Sequence, residues 1–84
     1  MNSNDKAINT ALNHMANASA EMYFDRNGVA IAGQAISFLQ QCFRDDGWKN
    51  LGNLSQFENF VEEIGFKVVQ GKNHRGGNCR IVTF

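Results

Sequence analysis

The chain has 84 residues, 43% of them hydrophobic, which is enough for one domain with a single core and excludes a disordered chain. Eight basic residues balance eight acidic ones, so any electrostatic function has to come from how the charge is distributed. The N-terminal MNSNDKAINTALNHM has no basic region followed by an apolar run, and no stretch approaches the ~18 apolar residues of a membrane span; a cytoplasmic location is expected.

From Ser3 to about Phe24, apolar residues fall at Ile8, Ala11, Leu12, Met15, Ala18 and Met22, the stripe of an amphipathic helix. Ser3 or Asn4 is a cap for its first turn, Asp5 suits its positive end, and Asn27-Gly28 supplies a left-handed stop. The methionines in that stripe read as core filling. Val29-Ala30-Ile31 follows, too short for a helix of its own, and reads either as a short strand or as the first turn of the next helix. That second helix carries Ala35, Ile36, Leu39 and Phe43 on one face and ends at Arg44-Asp45-Asp46-Gly47. Trp48 and Leu51 in the connection are expected inside, with Trp48 anchoring the core.

Asn53 or Ser55 caps a third helix in which Leu54, Phe57, Phe60, Val61 and Ile64 share one face. Gly65 marks its end. Gln56, Asn59 and Glu63 lie together on the opposite face, beside Ser55, Glu58 and Glu62. The last twenty residues, GFKVVQGKNHRGGNCRIVTF, hold two strand patterns, Phe66 to Gln70 and Cys79 to Phe84, joined by a tip whose Asn73, Gly76, Gly77 and Asn78 tolerate positive φ. They contain Lys67, Lys72, Arg75 and Arg80, with His74 between them, and no carboxylate. This hairpin is therefore about four charges positive in a neutral chain.

Helix, short strand, helix, helix and a two-stranded ribbon with a flexible tip is the element order of a winged helix-turn-helix, an α+β domain spanning residues 1–84. From Gly28 onward the chain also resembles the OST-HTH, or LOTUS, domain of RNA-associated proteins. That resemblance rests on NGVAI before an amphipathic helix, on Gly47-Trp48-Lys49-Asn50-Leu51, on Leu54-Ser55-Gln56-Phe57 opening a helix that ends at Gly65-Phe66, and on a strand, glycine-rich loop and strand. Val29 stands where that family commonly has an aromatic residue, and the connection before the third helix is longer here. The resemblance implies RNA binding through the third helix and the wing, with no catalysis.

The residues themselves point the same way. Lys72, Arg75 and Arg80 suit phosphate; Asn73 and Asn78 suit sugar or base edges; Gln56 and Asn59 are types that read adenine. Lys49, Lys67 and His74 complete the candidate surface, RNA or DNA being open. Glu58, Glu62 and Glu63 on the third helix repel phosphate, so contact led by the wing is expected, with a modest affinity that a homodimer or fused partner would raise. The alternative is a protein-interaction module or small inhibitor that uses the same surface on an acidic partner. An enzyme is not expected. Glu62 and Glu63 point about 100° apart on a helix, and GKNHRGG lacks phosphate-loop spacing. Cys42 has no nucleophile context, neither His14 nor His74 has metal-ligand spacing, and Asp25-Arg26-Asn27-Gly28 reads as a turn. No cofactor is expected, and Cys42 and Cys79 read as reduced thiols.

Overall fold

The computed structural model describes residues 3–16 and 23–84. Among them the order is α1 (Ser3–Ala16), β1 (Tyr23–Phe24), β2 (Ala30–Ile31), β3 (Gly33–Ala35), α2 (Ile36–Asp45), α3 (Leu54–Glu63), β4 (Lys67–Asn73) and β5 (Asn78–Thr83). The class is α+β, with three helices against a five-stranded antiparallel sheet ordered β2-β1-β4-β5-β3. No helix among the described residues is long and apolar enough to cross a membrane.

The helices close around Phe43 and Phe57, both fully buried, whose rings meet edge to face at 5.1 Å. Burying each such ring stabilises the fold by roughly 1.5–3 kcal/mol. Trp48 does not anchor this core. It is partly buried, with its ring 5.4 Å from Phe43 and 6.1 Å from Phe60, and Lys6 lies over it at 5.6 Å. The buried line of α1 is Ala7, Ala11 and Met15, with Leu12 38% exposed. The buried stripe is thus rotated slightly from the periodicity, toward Ala7 and away from Leu12. Leu54, expected inside, is 44% exposed as the first residue of α3.

α3 starts where its capping chemistry dictates. Asn53 Oδ1 accepts from the Gln56 amide at 2.9 Å, and Gln56 Oε1 accepts from the Asn53 amide at 2.8 Å. This reciprocal box selects Asn53 over Ser55 as the cap.

The first helix does not run to Phe24. Tyr23 and Phe24 form β1, held between β2 (Tyr23 opposite Ile31) and β4 (Phe24 opposite Lys72). Asn27-Gly28 therefore belongs to a hairpin turn and not to a helix end. Ala18 and Met22 lie outside the described residues. The strand expected at 29–31 is present as Ala30–Ile31, and Gly33–Ala35 forms a further one that pairs with β5.

The placement of β2 and β3 bends the whole sheet. They are its two opposite edges, about 19 Å apart if it were flat, yet only Ala32 separates them in the chain. Two residues span at most about 7 Å. The sheet must therefore roll until its edges meet, with its strands tilted and staggered. Thr83 Oγ1 donates to the Ala32 carbonyl at 2.7 Å and fixes the seam. Within the roll, Ile81 is fully buried between Gly33 and Gly71. A Cβ on Gly33 would strike the Val82 carbonyl, and one on Gly71 would strike the Phe24 carbonyl and lie 2.7 Å from Ile81 Cδ1. Glycine is required at both by this close approach. Tyr23, also buried, donates its phenol to Gln34 Oε1 at 2.7 Å across the roll.

Candidate nucleic-acid interface

The β4–β5 ribbon changes character along one face. Val68 opposite Val82 packs on the helices; Gln70 opposite Arg80 comes next; Lys72 opposite Asn78 lies beyond. Period-two alternation sets this order, so the ribbon leaves the core as it approaches its tip.

Two turns meet at that end, and they are built alike. Asp25 Oδ1 accepts from the Asn27 and Val29 amides at 2.8 and 2.9 Å, while the Asp25 amide donates to the Val29 carbonyl at 2.8 Å. Asn73 Oδ1 accepts from the Arg75 and Gly77 amides at 2.9 Å each, and the Asn73 amide donates to the Gly77 carbonyl at 2.9 Å. Gly28 and Gly76 occupy the fourth position of each, donating to the carbonyls of Asp25 and Asn73. The shared Asx-x-x-Gly spacing was the available signal in the sequence. A cleft of about 310 Å³ lies between the turns, lined by Phe24, Asp25, Arg26, Lys72, Asn73 and His74 among others.

This geometry adds Arg26, which the sequence did not assign to the candidate surface, to Lys72 and His74 in the cleft, with Arg75 in the turn beside it. The carboxylate of Asp25 stands among them, but its Oδ1 is held by the backbone of its own turn. Asn73 is likewise committed to shaping the second turn.

The other candidate residues lie elsewhere or are engaged. Arg80 donates from Nε to Glu58 Oε2 at 2.9 Å and from its terminal nitrogen to Glu58 Oε1, forming a two-point ion pair across to α3. The hydrogen bond that Arg80 donates to Glu58 raises the Arg80 pKa above its ordinary value, so the cation keeps its charge. Lys67 sits at the base end of the ribbon, opposite Thr83. Asn59 is exposed on α3. Lys49 and Gln56 line a separate cleft of about 280 Å³ with Trp48, Asn50 and Phe60, where Asn50 has a left-handed φ of 61° and Gln56 is occupied by the capping box.

Among the described residues no group of His, Cys, Asp and Glu is arranged to hold a metal ion. His14 Nε2 lies 2.7 Å from Asp46 Oδ2, a contact that ties α1 to the end of α2. Burial raises the Cys42 thiol pKa, with smaller contributions from the charges of Asp45 and Asp46. No protein-family model matches the chain, and comparison with curated proteins and with solved structures gave no match.

Proposed function

We propose that the protein is a non-catalytic nucleic-acid-binding module of winged-helix type whose paired turns contact backbone phosphates. The observation that carries this reading is the convergence of Arg26, Lys72 and His74 on one cleft, with Arg75 in the adjoining turn and the cleft's carboxylate, Asp25, held by backbone amides. The winged-helix assignment is supported by the order of α1, β3, α2, α3, β4 and β5 and by the pairing of β3 with β5. In this reading β4–β5 is the wing and the β1–β2 hairpin widens it. α3 contributes little to binding, because Glu58, Glu62 and Glu63 lie on it and Gln56 is spent on its cap.

Three phosphate contacts, from Arg26, Lys72 and Arg75, make binding to duplex DNA weaken about 40-fold between 50 and 200 mM salt. Electrophoretic mobility shift with duplex DNA, single-stranded RNA and stem-loop RNA at those two salt concentrations measures this. Charge reversal at Arg26 or Lys72 abolishes the shift, whereas Lys67→Glu, at the far end of the ribbon, leaves it nearly unchanged. Asp25→Asn strengthens it, since Asn73 performs the same turn-building role without a charge. If no probe gives a salt-sensitive shift, the proposal fails.

Val29, 60% exposed in the same turn as Arg26, favours a second reading. There the paired turns seat an acidic protein segment that has an apolar anchor.

A further inference from the structure

The Arg80–Glu58 ion pair occupies a cation that the ribbon geometry places beside the paired turns. Lys72 stands opposite Asn78, and Arg80 is two residues from Asn78 on the same strand. Lys72 and Arg80 are therefore diagonal neighbours on one face, roughly 7–8 Å apart at the backbone, a spacing from which two long side chains reach one nucleic-acid strand. Without Glu58, the cationic patch would continue from the turns along the ribbon toward α3. With it, both hydrogen-bonding edges used by Arg80 face a carboxylate.

The pair is also well placed to exchange. The Arg80 side chain is 46% exposed and that of Glu58 21%, and the two line a cleft of about 440 Å³ with Ser55 and Asn78. A competing anion can reach the guanidinium from its exposed side, and a phosphate presents the same two-oxygen geometry to a guanidinium.

We propose that Glu58 is an internal competitor for nucleic-acid phosphate, holding Arg80 out of the interface and thereby setting the affinity of the paired-turn site. This rests on the nucleic-acid reading above and adds a regulator to it. The carboxylate acts twice: it satisfies Arg80, and when displaced it stands close to the incoming phosphate and repels it. Anything that neutralises Glu58, or draws it onto another cation, turns a weak binder into a stronger one.

The test is a double-mutant cycle on the full chain: wild type, Glu58→Gln, Arg80→Gln and the double variant, titrated against duplex DNA and stem-loop RNA across a salt series. Glu58→Gln is expected to tighten binding by about tenfold at low salt and to steepen the salt slope on duplex DNA by about 0.9, the signature of one added phosphate contact. Glu58→Ala gives the same gain, which attributes it to loss of the carboxylate and not to a new contact of the glutamine. Arg80→Gln changes wild-type affinity less than twofold, yet removes the whole gain in the double variant. If wild type binds while Glu58→Gln binds no tighter, or if the gain survives with Gln at position 80, the competitor role is overturned and the paired-turn site stands. If neither wild type nor Glu58→Gln gives a salt-sensitive shift, the nucleic-acid reading falls and takes this inference with it.

Discussion

Ile81 and Val82 are adjacent in β5 and both fully buried, but they are buried by opposite means. Val82 faces the helices, where the space is filled by the rings of Phe43 and Phe57 and by Leu39, Val61 and Ile64. Ile81 faces the inside of the rolled sheet, where the space exists only because Gly33 and Gly71 lack side chains. The first core is made of bulk and the second of its omission. They should therefore fail under opposite substitutions, the helical core when atoms are removed and the roll when atoms are added.

The largest expected effect is at the helical core. Phe57→Ala leaves a cavity against Phe43 and costs about 3–5 kcal/mol, a large part of the stability of a domain this size; the urea midpoint measures it. A loss below 1 kcal/mol would mean that this core collapses freely, and the contrast between the two regions would disappear.

Gly71→Ala is next, at about 1–3 kcal/mol, because the added carbon meets the Phe24 carbonyl, a backbone atom that cannot turn aside. Its sharper readout is local. Amide exchange should accelerate at Tyr23, Phe24 and Lys72, where β1 pairs with β4, and stay slow in α2 and α3. Uniform acceleration would show that the roll and the helical core open as one unit.

The smallest effect distinguishes the two thiols, one in each region. Cys42 is buried in α2 and Cys79 half-buried in β5. Burial, then Asp45 and Asp46, raise the Cys42 pKa, so the folded state holds that proton more tightly than the unfolded chain. Its contribution to stability is complete below the unfolded thiol pKa and is lost as pH rises through the folded one. Stability should decline modestly in the alkaline range, and the decline should be smaller in Cys42→Ala. Near neutral pH, alkylation followed by mass mapping should modify Cys79 before Cys42; the reverse order would break the assignment of the buried position to α2.

Local chemistry made much of this fold legible. The periodicity of α2 and α3, the choice between Asn53 and Ser55 as cap and the alternation of the terminal hairpin are properties of residues a few positions apart; the structure keeps the helical faces apart from Leu54, selects Asn53, and carries the first strand of the hairpin past Gln70 to Asn73. The same locality produced the error at Tyr23 and Phe24. A helical stripe can be continued on paper past the point where a strand offers those aromatics partners on both sides, Ile31 across a short hairpin and Lys72 from the far end of the chain. Arg26 escapes a local reading because Asp25-Arg26-Asn27-Gly28 reads only as a turn, and it is the pairing of β1 with β4 that sets that turn beside Lys72 and Asn73.

By itself the sequence determined the three helices, the final ribbon and the concentration of positive charge upon it, because each depends on neighbours along the chain. Tertiary structure decided that the sheet rolls, that the 25–29 turn stands beside the 73–77 turn, and that Arg80 faces Glu58 while Lys72 does not. These outcomes depend on which strands pair and how far one extends past the helices. Strand pairing joins residues up to about fifty positions apart, as Gly33 with Thr83, a separation over which no local pattern carries information.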